Sequence, residues 1–197
     1  MYYQFPKDPK KIKAKIRSYE RKLRKEEEEH GSISDGAGKR LVVSSLYLLI
    51  DDLEGALKSF NWYDTNFKDH IVEPIQYICW SLALFKSGLK NDAKNKLIDT
   101  MFCNVYLVPH LLGKLKIPQN EDYYFDWEDK EYIYHLPEEY KDLWFNDKDA
   151  LEWLKKIYYD DKIQNALKEY TIIKENGDMS EAWKFQQELV KKLKREI

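Results

Sequence analysis

Apolar and polar positions along this chain recur with a helical period, and three turns of similar layout interrupt the pattern. The turns read IDDLEGA at residues 50–56, SGLKNDA at residues 87–93 and NGDMSEA at residues 176–182. Each turn follows an apolar helical run and leads into a second run, with an alanine five residues past the turn. The pattern therefore predicts three helix–turn–helix units.

The first two units are related by a fixed spacing of 37 residues. The pairs at this spacing are Ser44 and Ser81, Tyr47 and Leu84, Asp51 and Gly88, Ala56 and Ala93, and Phe60 and Leu97. A fixed period of this size with helix–turn–helix content indicates an α-helical repeat array. Helices approach closely only at small side chains, so we expect the serine and alanine pairs to lie at helix contacts.

The first helix is predicted from Asp8, an N-cap, and Pro9, a first-turn proline, and it continues to about residue 28. Its apolar residues form a narrow stripe on an otherwise charged helix: Ile12, Ile16, Tyr19 and Leu23. An isolated helix of this length is marginal in water. We therefore expect the stripe to pack on the rest of the chain or on a second copy.

Further helices are predicted at residues 38–50, 53–67, 74–88, 91–104 and 106–112. Residues 114–136 have no helical period, and acids alternate there with aromatic residues, so this segment is predicted to be a loop. Four helix starts follow, at Pro137, Asp147, Asp161 and Asp178. The last two helices are expected to form the third unit, although Tyr170 stands where a small residue is needed.

The two 37-residue units resemble tetratricopeptide repeats, which are slightly shorter, over residues 38–105. The resemblance in unit one rests on Val43, Ser44, Tyr47, Asp51, Ala56 and Phe60. In unit two it rests on Tyr77, Trp80, Ser81, Leu84, Gly88, Ala93 and Leu97. The chain is also similar to uncharacterised bacterial repeat proteins that begin with a Lys/Glu-rich helix, a similarity that implies no function.

The resemblance implies an all-α fold: a right-handed antiparallel helix-hairpin (TPR-like) array with an N-terminal charged helix and a C-terminal helical subdomain. The corresponding regions are residues 1–35 (basic helix and loop), 36–113 (two hairpins), 114–136 (acidic-aromatic loop) and 137–197 (C-terminal helices).

In tetratricopeptide arrays the first helix of each hairpin lines a partner-binding groove. The resemblance places this groove at Leu41, Ser45, Leu48, Leu49, Ile75, Ile78, Leu82, Phe85 and Lys86. Such an apolar surface is either a binding site or is covered. The sequence leaves open whether the chain's own helices, a second copy or a partner segment fills it.

Charge is segregated along the chain although the net charge is only −2. Residues 7–25 carry ten Lys or Arg against two acids, and residues 119–152 carry twelve acids against three lysines. The basic helix could bind nucleic acid, or the acidic segment 121–131 could mimic it in the manner of an immunity protein. The acidic C-terminal half makes nucleic acid the less favoured partner, and a protein or peptide partner or a homo-oligomer is favoured.

No motif predicts an enzyme, a cofactor or a metal. The Gly38–Lys39 pair lacks the first glycine and the Ser/Thr of a P-loop, and the four histidines have no metal-ligand spacing. Cys79 and Cys103 lie among apolar neighbours, which favours buried reduced thiols. Residues 1–11 have no apolar signal-peptide core and no apolar run spans a membrane, so we expect a cytoplasmic, non-enzymatic scaffold.

Overall fold

In the computed structural model the described residues are 5–35, 38–68, 72–115, 126–176 and 179–196. All regular elements in these ranges are helices, so the predicted all-α class is confirmed. One apolar core runs through the fold, from Phe5 near the N-terminus to Leu193 in the last helix. A smaller cluster contains Tyr63, Phe67 and Val72.

The described residues form ten α-helices and one 3₁₀ helix. These are α1 (Pro9–His30), α2 (Lys39–Leu49), α3 (Leu53–Asn66), α4 (Pro74–Lys86), α5 (Lys90–Cys103), α6 (Leu107–Leu111), the 3₁₀ helix (Lys130–His135), α7 (Glu138–Phe145), α8 (Lys148–Tyr158), α9 (Asp161–Glu175) and α10 (Met179–Glu196).

Helix α1 begins and ends at strong capping residues. The Asp8 carboxylate accepts a hydrogen bond from the backbone N–H of Lys10, and Gly31 ends the helix with φ 67°. Ile12, Ile16 and Leu23 are buried where α1 packs along α2. The prediction that the apolar stripe docks is therefore confirmed, and the surface that it contacts is the chain's own α2.

The first hairpin consists of α2 and α3, joined by a short turn. The Ser44 hydroxyl lies 2.9 Å from the Ser59 hydroxyl, and the Tyr47 ring lies directly over Gly55. A Cβ atom at residue 55 would come within 2.5 Å of that ring. Ala56 is fully buried beside this contact. Small residues thus bring the two helices together, as predicted.

The second hairpin repeats this arrangement with α4 and α5. The Ser81 hydroxyl donates to the backbone carbonyl of Ala93 over 2.8 Å, and both residues have no exposed surface. Helix α4 also packs on α2 and α3, and Trp80 stacks on Phe60 with 5.1 Å between ring centroids. The two hairpins therefore form one continuous stack.

The 37-residue register extends backward to α1. Leu23, Phe60 and Leu97 follow one another at this spacing, on α1, α3 and α5, and all three side chains are buried. Helix α1 thus contributes a core residue in the register of the second helix of each hairpin.

The C-terminal half differs from the predictions at several points. Residues 130–135 of the predicted loop form the 3₁₀ helix, whereas residues 116–125 lie outside the described residues. Pro137 and Asp147 precede α7 and α8 as their N-cap residues. Helix α9 begins at Asp161 as predicted, and the preceding Asp160 caps it, because its carboxylate accepts the N–H of Lys162. Asp178 is not among the described residues.

The third hairpin is formed by α9 and α10, which pack against each other. Tyr170 is buried and lies edge-on to Phe102 of α5, with ring centroids 5.6 Å apart. Gln186 on α10 donates to the Phe102 carbonyl over 2.7 Å. A large aromatic side chain therefore fills the contact between this hairpin and the stack.

Candidate binding surfaces

The nine predicted groove residues lie on α2 and α4, and most of them are inaccessible to a partner. Five are buried: Ser45, Leu48, Ile75, Ile78 and Leu82. Leu41, Leu49 and Phe85 are partly buried, and Lys86 is exposed with its ammonium 3.1 Å from Asp51. In this conformation the surface is therefore part of the core rather than an open groove.

The 3₁₀ helix covers one end of this surface. Tyr132 is buried there, and its hydroxyl donates to the Glu73 carboxylate over 3.0 Å. The same hydroxyl accepts the backbone N–H of Ile75 over 3.2 Å. A tyrosine from far along the chain thus satisfies a free N–H in the first turn of α4.

Helices α7 and α8 cover the rest of the groove surface formed by α2 and α4. Helix α7 packs on α2, and α8 packs on α4. The Trp153 ring of α8 lies 4.7 Å from the Phe85 ring, centroid to centroid. The sequence left open whether the chain itself, a second copy or a partner covers this surface. In the structure the chain's own residues cover it.

Asn104 anchors the covering segment, and sequence reasoning missed it. Its buried amide donates to the carbonyls of Trp127 and Asp129, over 2.7 and 3.0 Å. Its amide oxygen accepts the N–H of Tyr106 over 3.0 Å. The available signal was a polar residue just after the last apolar turn of α5.

A cleft lies on the opposite side of α2, between α1 and α3. Its volume is about 290 Å³, a size typical of small ligand sites. Leu23, Val43 and Trp62 give it an apolar floor. The charged lining residues are Glu20, Arg24, Glu27 and Lys58. The Glu20 carboxylate also accepts the Tyr47 hydroxyl over 2.6 Å, which fixes one wall.

The second unit carries a cleft at the equivalent place, between α3 and α5. Its lining residues Trp80, Leu84 and Lys96 stand 37 positions after Val43, Tyr47 and Ser59 of the first cleft. The chemistry differs, because the Lys96 ammonium lies 3.5 Å from the centre of the Trp80 ring. Burial lowers the pKa of Lys96, although nearby Asp64 and Asp99 oppose that shift.

A third cleft, of about 860 Å³, lies between α5 and α10. Trp183 lines it and is 62% exposed. Lys194 and Asp99 form an ion pair between the second and third clefts and line both of them. Successive gaps between α1, α3, α5 and α10 are thus open, whereas the α2 and α4 groove surface is covered.

The described residues contain no grouping of three metal-ligating side chains. Cys79 and Cys103 are free thiols, and burial raises the pKa of each to about 12, so neither is an activated nucleophile. Burial also lowers the pKa of His110, whose ring Nδ1 lies 3.2 Å from the backbone carbonyl oxygen of Leu115.

Gly38 is the N-cap residue of α2, with φ 65°, in agreement with a loop and helix start rather than a P-loop.

The acidic segment is only partly described. Glu121 and Asp122 lie outside the described residues. Asp129 accepts the N–H of Asp126 over 2.7 Å in a turn before the 3₁₀ helix, and Glu128 forms an ion pair with Lys174. Part of this segment is thus engaged with the chain itself.

None of the helices in the described ranges has the length and apolar character needed to cross a bilayer. Compared with protein families, curated proteins and solved structures, the chain shows no match to any of them.

Proposed function

We propose that this chain is a non-enzymatic interaction module built on a TPR-like hairpin array that binds a protein segment. In this proposal α2 with α3 and α4 with α5 are the two repeats, and α1 takes the place of the second helix of a preceding repeat. The register of Leu23, Phe60 and Leu97 supports this assignment, since three successive helices place a buried residue at the same spacing.

The observation that carries the proposal is the distribution of open and covered surface. The chain's own residues 126–158 occupy the surface where such arrays commonly bind partners. The α1–α3 cleft remains open and combines an apolar floor with charged residues. Binding surfaces commonly have this composition of an apolar centre and a polar rim. We therefore place the partner site at the α1–α3 cleft.

The cleft fits an apolar side chain of a partner segment better than a large cofactor, because its volume is about 290 Å³. Trp62 is partly buried at its floor, and tryptophan is enriched among the residues that contribute most of the binding energy of interfaces. The residues Arg24 and Lys58 beside it can pair with acidic groups that flank the inserted side chain.

Site-specific photo-crosslinking in the producing cells tests this function. A photoreactive residue at Lys58, which lines the cleft, is expected to capture one defined polypeptide. The same residue at Lys168, exposed on α9, is the matched control and should not capture it. Trp62→Ala should abolish the capture while the melting temperature shows a folded protein. Equal capture from both positions, or a substrate turnover that depends on particular residues, contradicts the proposal.

A further inference from the structure

One face of α1 is strongly cationic. Eight of its basic residues are exposed: Lys10, Lys11, Lys13, Arg17, Arg21, Lys22, Arg24 and Lys25. They extend over about 22 Å at 1.5 Å per residue and cover about half of the helix circumference. The glutamates at 26–29 mark the end of this basic face.

Both acids among residues 7–25 are engaged within the chain. Asp8 is the N-cap and accepts the Lys10 N–H over 2.8 Å. Glu20 accepts the Tyr47 hydroxyl over 2.6 Å and is turned toward α2. Lys25 pairs with Glu29 over 3.4 Å at the end of the face, whereas no described residue forms an ion pair with Lys13, Arg17 or Arg21. The exposed face therefore presents positive charge without compensation from these acids.

The basic face is also held in place. Ile12, Ile16 and Leu23 are each at most 4% exposed beneath it, on α2. The loop after α1 is fastened to the helix, because the Glu26 carboxylate accepts the N–H groups of Ser34 and Asp35. A docked helix orders no additional backbone on binding, which reduces the entropic cost of binding.

We propose that the basic face of α1 binds double-stranded DNA without sequence preference, with α1 lying in the major groove. The groove is about 12 Å wide and admits a helix, so the phosphates of both strands flank it. Positive charges spread over half of the helix circumference can all face phosphates when the helix lies in the groove. An acidic protein surface or a membrane plane would contact only one side of the helix. The face consists of lysines and arginines, which contact phosphates, and phosphate contacts carry no sequence information.

This inference concerns a surface that shares only Arg24 with the described lining of the α1–α3 cleft, and it stands if the partner-binding proposal fails. The full-length protein is titrated against a fluorescein-labelled DNA duplex of about two helical turns, with anisotropy as the readout. For about five phosphate contacts, affinity should fall about 10²–10³-fold between 50 and 200 mM NaCl.

The variant Lys13→Glu/Arg17→Glu/Arg21→Glu should lose at least about tenfold in affinity at 50 mM NaCl. The matched control Lys156→Glu/Lys168→Glu/Lys192→Glu changes the same net charge at exposed sites on other helices and should lose much less. The milder variant Lys13→Gln/Arg17→Gln/Arg21→Gln keeps the test valid if the glutamate variant fails to fold.

Three competitors decide the class of ligand. Unlabelled duplex DNA should displace the probe, and poly-glutamate or vesicles with anionic lipid should displace it much less at equal charge. Equal loss in both triple variants, absence of binding at 50 mM NaCl, or stronger displacement by poly-glutamate or vesicles overturns the proposal.

Discussion

Asp51 and Gly88, 37 residues apart, hold the same left-handed backbone conformation at the ends of the equivalent helices α2 and α4. Their φ angles are 55° and 78°. Glycine adopts this conformation without steric cost, whereas a side chain at the position is strained by roughly 1–2 kcal/mol. The first turn therefore contains a strain that the second turn avoids.

Asp51→Gly should make the protein more stable than Asp51→Ala by about 1 kcal/mol. Both variants remove the ion pair between Asp51 and Lys86, which is exposed and worth about 0–1 kcal/mol. The difference between them therefore reports the strain of a Cβ atom at this position, reduced by the larger loss of backbone entropy of glycine on folding. Chemical denaturation measures it, and equal stabilities of the two variants would show that the turn is not strained.

Ala93→Leu should destabilise the protein by about 1–3 kcal/mol, because Ala93 has no exposed surface where α5 meets α4. Ala14→Leu is the control, since Ala14 is exposed on α1. It should change the free energy of unfolding by less than about 0.5 kcal/mol. Similar thermal melting of Ala93→Leu and the unmodified protein would contradict the packing of the second hairpin.

Gln76→Met should stabilise the protein by about 1–3 kcal/mol. Gln76 has no exposed surface, and neither atom of its amide has a hydrogen-bond partner among the described residues. Burial of an unpaired amide is costly, and methionine has a similar shape without that cost. Gln187→Met at an exposed site should have little effect. A loss of stability in Gln76→Met would mean that the amide is paired in solution.

Ile16→Asp should release α1 from α2 and expose the Lys and Arg residues of the helix to trypsin. Ile16 is 3% exposed, and burial of a charge without a partner is strongly unfavourable. Arg17→Asp changes the adjacent exposed residue and should leave α1 protected. Mass spectrometry of early cleavage products measures this, and rapid cutting throughout α1 in the unmodified protein would rule out docking.

The thiol of Cys79, which is 1% exposed, should react with a thiol reagent at pH 8 only after unfolding. Cys103 is partly exposed at the third cleft and should react slowly in the folded protein, because burial raises the pKa of each thiol to about 12. A raised pKa favours the neutral thiol in the folded state. Its contribution to stability is complete below the ordinary pKa near 9 and is lost as the pH rises toward 12.

Denaturation series between pH 8 and 11 provide the measurement. The variant Cys79→Ala/Cys103→Ala should lose less stability over this range than the unmodified protein does. Rapid labelling of Cys79 in the folded protein at pH 8 would contradict its burial.

The short-range features of this fold could be predicted from the sequence. The caps at Asp8 and Asp147 and the small residues Ser81 and Ala93 act on neighbours within one helix or one hairpin. Their signals therefore lie within a few residues to a few turns along the chain. The stripe of α1 was also predictable, because an apolar row on a charged helix must be covered.

The occupant of the groove surface could not be predicted. Tyr132 reaches Ile75 across 57 positions, and Trp153 meets Phe85 from still farther away. No local pattern in residues 114–136 specifies that approach.

The charged outer face of α1 limits how the fold can grow. In a helical array each added unit needs an apolar surface on the unit before it. Helix α1 offers such a surface only toward α2, at Ile12, Ile16 and Leu23, and its other side carries lysine and arginine. A further hairpin added before α1 would have to bury these lysines and arginines, so it cannot stack there while they remain. Duplication of a unit is therefore compatible with this architecture only after α1.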